Sequence, residues 1–279
     1  MFPWARIMKE LGVLIEQVRK RRPLVHHITN VVTANDCANI TLAIGASPVM
    51  ADEPKEMSEI TGLASALVLN IGTLNQHKVV SMMTAGKVAN ERGIPVVLDP
   101  VGVGASEFRR ATTHQLLDEI KISVLRGNIS EVRCIAGLAS IAKGVDASNE
   151  DIGRDESREE VATHLARKLR CVVIISGEVD VISDGQKTVC VKNGQAMLGN
   201  ITGTGCMCSS LVGSLCGANP DDIFEASVAA MVSMGIAGEV AHKRAGELGN
   251  GSFRVALHDE VGRMNEETIE RLGRIHERE

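Results

Sequence analysis

Pro95-Val96-Val97-Leu98-Asp99-Pro100-Val101-Gly102-Val103-Gly104 runs from three aliphatic residues into an acid and a glycine-rich turn, ahead of the helix-like segment Glu107–Ile120. A short uninterrupted aliphatic run of this kind reads as a strand buried on both faces, as in a parallel sheet covered by helices. The unit recurs on either side. Runs at Leu24–Ile28, Ala66–Ile71, Ile122–Leu125 and Cys171–Ile175 alternate with helical candidates around Met8–Arg19, Thr33–Ile44, Gln76–Arg92 and Ser157–Leu169. This alternation predicts βαβ units and an α/β fold with a mainly parallel central sheet flanked by helices. Val179–Ser183 and Thr188–Val191 break the pattern, because the Asp184-Gly185 pair between them is a hairpin signal and predicts an antiparallel edge.

From Thr204 onward the chain reads as a helical C-terminal part. It holds a small-residue helix to Gly217, a long helix from about Asp221 to Lys243, and another from about Gly251 to Leu272. Pro220-Asp221-Asp222 supplies a helix start and Gly246–Gly251 a break. With no repeat and no Pro- or Ser-rich linker, residues 1–279 are expected to form a single α/β domain, and the polar stretch Asp146–Glu160 a long surface connection.

Composition narrows the function. Hydrophobic residues make up 44% of the chain but aromatics only 2%, so the core must be aliphatic. The net charge of −5 argues against nucleic acid or an anionic membrane as main partner, and any anionic substrate must be held locally by loop amides, a metal or a few Arg and Lys. The seven cysteines, at 37, 134, 171, 190, 206, 208 and 216, include no Cys-x-x-Cys pair. They read as reduced thiols of a cytoplasmic protein rather than as a disulfide framework or a zinc site.

The local chemistry concentrates in Gly199-Asn200-Ile201-Thr202-Gly203-Thr204-Gly205-Cys206. Gly203 and Gly205 allow a tight turn and close approach of a ligand, and a helix beginning there would aim free N–H groups and its positive dipole end at that ligand. The result is an anion site with a thiol beside it, suited to phosphoryl transfer. Neither this loop nor Gly102-Val103-Gly104 completes a dinucleotide fingerprint, since Cys208 and Glu107 stand where the third glycine belongs, and there is no Gly-x-x-x-x-Gly-Lys-Ser/Thr. Asp99 falls at the carboxyl end of a strand, where open α/β sheets place their ligands. Glu131 would lie in the first turn of a helix capped by Asn128. Together these acids could hold magnesium against a nucleotide, although an Asp-Pro turn and a capping pair would account for them structurally.

Several segments, in order, resemble the hydroxyethylthiazole kinase family. They are Leu24-Val25-His26-His27-Ile28-Thr29-Asn30-Val31-Val32-Thr33, Gly45-Ala46-Ser47-Pro48-Val49-Met50, Asn70-Ile71-Gly72-Thr73, Leu98-Asp99-Pro100-Val101-Gly102, Arg126-Gly127-Asn128-Ile129-Ser130-Glu131, Ile175-Ser176-Gly177 and Thr202-Gly203-Thr204-Gly205-Cys206. The resemblance implies a ribokinase-like three-layer fold and transfer of the terminal phosphoryl group of ATP, with magnesium, to the primary alcohol of 4-methyl-5-(2-hydroxyethyl)thiazole in thiamine salvage. It also implies a homotrimer whose active sites lie between subunits. Carried over by position, Met50 and Gly203 would contact the thiazole, with Asn30, Val32 and Gly72 around them. Arg126 and Ser176 would contact ATP, and Asp99 and Glu131 would serve the metal.

Sugar kinases of the same superfamily usually carry Asp at the position of Cys206, where it acts as base, so Cys206 weakens a sugar-kinase reading. A thiol at a helix N-terminus is expected to have a lowered pKa and to serve as a weak base. His26 and His27 alternate along one strand and so face opposite ways, which favours structural roles. Two rivals remain: a related kinase for a sugar, pyrimidine or hydrated nicotinamide, and a binding protein that has lost turnover. Cys206 with the His-x-Ile-Thr-Asn segment weighs against the first, and retention of Asp99, Glu131 and the Gly203–Cys206 loop against the second.

Overall fold

A computed structural model describes residues 3–142 and 156–277. The strands among these are β1 (Leu24–Ile28), β2 (Ser47–Val49), β3 (Ala66–Asn70), β4 (Val96–Asp99), β5 (Val124–Asn128), β6 (Val172–Ser176), β7 (Asp180–Ser183), β8 (Thr188–Val191) and β9 (Ile275–Glu277). They form one sheet in the order β2-β1-β3-β4-β5-β6-β7-β8-β9. Pairing is parallel from β2 through β6 and antiparallel from β6 through β9. The hairpin forms where Asp184-Gly185 predicts it, with Gly185 at φ +90° and the Asp184 carboxylate accepting from the Gln186 and Lys187 amides, each at 2.7 Å.

The helices are α1 (Pro3–Arg21), α2 (Ala34–Ile44), α3 (Met57–Leu63), α4 (Gln76–Glu91), α5 (Glu107–Glu119), α6 (Ile129–Ala142), α7 (Arg158–Leu169), α8 (Thr204–Ala218), α9 (Ile223–Ala245), α10 (Asn250–Arg263) and α11 (Glu266–Leu272). Strand alternation sorts the core into two halves. Val25, Val68, Val97, Val124 and Ile174 pack with apolar residues of α1, α2 and α8 to α11 on one face. Leu67, Leu69, Leu98, Leu125, Val173 and Ile175 pack with residues of α3 to α7 on the other. Both faces of the parallel strands inside the edge strand β2 are therefore dry, which is why those strands read as unbroken aliphatic runs.

Two expected boundaries need correction. The single helix from about Gly251 to Leu272 is two, because Met264 is extended at φ −57°, ψ 133° and the Asn265 side chain caps α11 by accepting from the Thr268 amide at 2.8 Å. Strand β5 begins two residues later than Ile122 and runs on through Arg126 to Asn128, since pairing with β6 extends to Asn128↔Ser176. Edge strands β2 and β9 and the short helix α3 carry too little apolar pattern to be legible. Residues 146–155 of the polar stretch expected as a surface connection lie outside the described residues. Helix α9 is long and apolar enough to cross a membrane by composition, but most of it is buried, with α1, α8 and α10 packed against it.

His26 and His27 both sit inside the protein, on opposite faces of β1. His26 Nδ1 and Nε2 lie 3.0 Å from Thr61 Oγ1 and 2.9 Å from the Ala51 carbonyl. His27 Nδ1 meets only the Val25 carbonyl of its own strand, and Nε2 has no partner. Burial pushes the His27 pKa down from 6.5 to about 4. Below pH 6.5 the unfolded chain therefore takes a proton that the folded chain refuses until about pH 4, so stability is lost as pH falls through that window. The penalty reaches about 3 kcal/mol at the acid end. His27→Gln should flatten the dependence of the urea midpoint on pH between 7 and 5, and identical slopes in the two proteins would refute the assignment.

Candidate active site

Period-2 alternation aims one residue from the carboxyl end of each central strand at the same face. Asn70, Asp99, Arg126 and Ser176 follow Val68, Val97, Val124 and Ile174 at a spacing of two, so all four point to the side occupied by α8. Register aligns them further, pairing Asn70 with Asp99 across β3–β4 and Asn128 with Ser176 across β5–β6. Met50 follows β2, Asn30 follows β1, and Gly72 follows β3 at the same edge. Sheet order thus lays out Met50, Asn30, Asn70, Asp99, Arg126 and Ser176 in a row.

Helix α8 crosses this row from above, packing on β1, β3 and β4. Its start depends on Gly203, the residue before the helix, at φ +86°, where a side chain would be strained and its first carbon would also strike Thr33. Ser209, one turn into α8, donates to Asp99 Oδ2 at 2.8 Å and ties the helix to β4. At Gly205 an added Cβ would stand 2.8 Å from Arg126 Nη1, so the guanidinium rests directly against the first turn of the helix.

The charges here are under-satisfied. Arg126 is 9% exposed, and its Nε has no hydrogen-bond partner. Asp99 is 1% exposed; Oδ2 accepts from Ser209 and, at 2.8 Å, from Asn70 Nδ2, whereas Oδ1 is buried without a partner. Burial raises the Asp99 pKa; Arg126 opposes that rise, and the neighbouring Glu131 charge adds to it. Buried groups left in this state normally have partners, so the orphaned guanidinium fits an anion and the orphaned oxygen a cation or a proton. Glu131 differs: its oxygens accept from the Gly102 amide at 2.9 Å and the Asn128 amide at 2.8 Å, while its own amide donates to Asn128 Oδ1 at 3.0 Å. It is the reciprocal capping pair expected from sequence, and also a strut between the turns after β4 and β5. Among the described residues no cluster of three or more His, Cys, Asp or Glu could cage a metal, so a divalent ion would need ligand oxygens besides the protein's.

Arg126 and Ser176 open into a cleft of about 850 Å³ that is also lined by Gly177, Asp180, Thr204 and Gly205. On the other side of Asp99 lies Cys206. Its sulfur accepts from Asn30 Nδ2 and Asn70 Nδ2, each at 3.2 Å. Its pKa is raised, contrary to the effect expected of a helix N-terminus: burial is the largest cause and the Asp99 charge adds to it, outweighing the hydrogen bonds. Gly72 closes on this cluster through its amide, which donates to Asn70 Oδ1 at 2.9 Å. Met50 and Val32 stand apart at the rim, 36% and 63% exposed, beside Val31 at 72%. Sequence reading missed Ser209 and Arg109. The Arg109 side chain, from α5, donates to the carbonyls of Ile71, Val101 and Gly72 and braces the turns after β3 and β4. Neither belongs to a glycine loop or an acid pair, which were the signals available.

The arrangement of layers is that of the ribokinase-like kinases. A ribokinase-like superfamily protein from Enterococcus faecalis superposes over 95% of this chain and 98% of its own at a TM-score of 0.63, with 11% identity, a likeness of fold alone. Within that class the match is closer. The sequence profile of the hydroxyethylthiazole kinase family covers residues 15–267, and the chain belongs to that family. It is 54% identical over 270 residues to a hydroxyethylthiazole kinase of Clostridium beijerinckii, covering 96% of this chain and 97% of that one. A solved hydroxyethylthiazole kinase structure from Pyrococcus horikoshii superposes at a TM-score of 0.87 with 39% identity, over 97% of this chain and all of that one.

The contact at Gly205 generates a test. Gly205→Ala should displace the Arg126 guanidinium and weaken ATP binding by about ten- to a hundredfold, as expected for an ångström-scale misplacement, with little change in melting temperature. Unchanged affinity in a calorimetric titration would show that Arg126 does not serve the anion.

Proposed function

We propose that this chain transfers the terminal phosphoryl group of ATP to the primary alcohol of 4-methyl-5-(2-hydroxyethyl)thiazole, as a cytoplasmic enzyme of thiamine salvage built as one kinase domain. Family membership supports the reaction. The observation that carries it at the site is the buried Arg126, whose Nε has no hydrogen-bond partner, set against the first turn of α8 beside a sulfur held at the carboxyl end of the sheet. In this reading ATP lies along the cleft of Arg126 and Ser176, and the thiazole lies toward Met50, Asn30, Val32, Gly72 and Gly203.

The hydroxyl oxygen of the acceptor forms the new bond to the γ-phosphorus as the bond to the β–γ bridging oxygen breaks, and the hydroxyl proton passes to ionised Cys206 Sγ. Arg126 and the free amides of α8 face the charge spread over the phosphoryl oxygens, the main requirement of such a transfer. Asp99 and Glu131 would hold magnesium, which neutralises phosphate charge when bound; the orphaned Asp99 Oδ1 and the mutual repulsion of the two acids fit that role. The exposed apolar rim of Val31, Val32 and Met50 suits coverage by a neighbouring subunit, as a homotrimer with shared sites requires.

Mass spectrometry of products from ATP, magnesium and the thiazole alcohol should show the phosphate ester, with ribose and hydroxymethylpyrimidine poor acceptors; absence of the ester at millimolar substrate would sink the reading. Because the Cys206 pKa is raised, turnover should climb as pH rises above neutral. Cys206→Ala should lose that climb together with the roughly 10²- to 10⁴-fold typical of general-base catalysis, while Cys206→Asp stays active. A pH profile unaltered in Cys206→Ala would remove the thiol from proton transfer. Light scattering should return about three times the 29.8 kDa chain mass, and a fully active monomer would exclude shared sites.

A further inference from the structure

Asn70 has a place in this site that no glycine loop or acid pair explains. Its carboxamide has four partners: Oδ1 accepts from the Gly72 amide at 2.9 Å and Asn30 Nδ2 at 3.1 Å, and Nδ2 donates to Asp99 Oδ2 at 2.8 Å and Cys206 Sγ at 3.2 Å. The orientation cannot reverse, because a flipped amide would set its oxygen against the Asp99 carboxylate and its NH₂ against the Gly72 N–H. Asn30 is locked in turn, since its Oδ1 accepts from the Thr33 amide at 3.0 Å and the Thr33 hydroxyl at 2.9 Å. That leaves one Asn30 hydrogen for Asn70 and one for the sulfur. Both amides thus present N–H to Cys206, and both are held by groups outside it.

We propose that Asn70 is a positioning residue for Cys206: with Asn30 it forms a two-amide clamp that fixes the sulfur, separates it from Asp99, and meets the negative charge the sulfur carries before it takes the acceptor's hydroxyl proton. The proposal rests on the reading of Cys206 as proton acceptor. In that step the thiolate gains the proton, the acceptor oxygen gains phosphorus, and the bond electrons leave with the ADP oxygen; the resulting thiol then returns its proton to solvent.

The surroundings show why a clamp is needed. Asp99 on β4 opposes charge on the sulfur, Arg126 on β5 favours it, and Cys37 on α2 and the Thr33 hydroxyl complete the neighbouring polar groups. The site is also largely buried, so an anion there depends on fixed dipoles rather than on water. Beside the two amides the sulfur has the Thr33 side chain within hydrogen-bonding reach, and its partly exposed side is left for the substrate hydroxyl. The arrangement resembles an oxyanion hole, with sulfur in place of oxygen.

The test reads the sulfur directly. Full-length protein is treated with iodoacetamide at one fixed pH, and alkylation of Cys206 is followed by peptide mass spectrometry, with half-exposed Cys134 as internal reference. Asn70→Leu should slow Cys206 alkylation by about tenfold, the size of one lost hydrogen bond to a charged group, with the Cys134 rate unchanged. Thr73→Val removes the Val31 amide's partner, which joins the same two loops at 3.0 Å without touching the sulfur, and should leave the Cys206 rate as in the parent. If Asn70→Leu does not fold, Asn70→Ser, too short to bridge, gives the same reading. In turnover, Asn70→Leu should lower kcat far more than KM for ATP, and the loss should nearly vanish in a Cys206→Ala background.

An unchanged or faster Cys206 alkylation, or losses that simply multiply in the double variant, would overturn the clamp. Because alkylation needs no acceptor, a slowed rate in a protein that makes no thiazole phosphate would refute the proposed reaction and leave the clamp standing.

Discussion

Everything at the site depends on how closely α8 lies on the sheet. The helix is made of Gly, Ser, Cys and Ala interspersed with a few larger aliphatics, and two of its glycines explain the distance. A Cβ on Gly213 would come within 2.5 Å of Val68 Cγ2, and one on Gly217 within 3.1 Å of the Ala66 Cβ. Close packing of this kind has no slack. It puts the first turn level with the ends of β3, β4 and β5, so that Ser209 reaches Asp99 and Cys206 reaches two asparagines. A larger residue on that face would lift the helix off the sheet edge and separate the thiol from its donors. The low helix propensity of a glycine-containing segment is offset by burial on nearly every side.

Most of the architecture was legible because the parallel strands are buried on both faces and so appear as aliphatic runs. Those runs located the strands to within three residues at either end, and Asp184-Gly185 located the hairpin. What escaped was short or edge-bound. Ser47–Val49 is a strand only because β1 offers it a parallel partner. Ile275–Glu277 pairs with β8 across more than eighty residues of intervening chain, a tertiary effect that no local pattern encodes. The division between α10 and α11 depends on one extended residue and one asparagine cap.

The site was legible in its acids and glycines and illegible in its amides. Asp99, Glu131 and the Gly203–Cys206 loop announce themselves by charge, strand-end position and turn chemistry. Glu131 proved to be busier than either reading of it allowed, since it both caps α6 and ties down Gly102. Asn70, Ser209 and Arg109 carry no such signal: their importance arises from what they touch, and that is decided by register and by the height of α8. The raised pKa of Cys206 was missed for a related reason, because the dipole at a helix start is visible in sequence whereas the depth of burial that overrides it is not.

The order of strands divides the labour of the site in a way that bears on how such a protein can change. The residues proposed to face the phosphates lie on β4, β5 and β6, in the middle of the sheet, where each strand is hydrogen-bonded on both sides and a substitution disturbs two neighbours. The wall proposed for the acceptor lies on β1 and β2, and β2 is a three-residue edge strand with partly exposed residues. Substitutions on β2 disturb one neighbouring strand and little core, whereas β1 is paired on both sides. A lineage could therefore explore new acceptor alcohols at the margin while its nucleotide machinery stays untouched, and an engineer could do the same by exchanging a short segment around Met50.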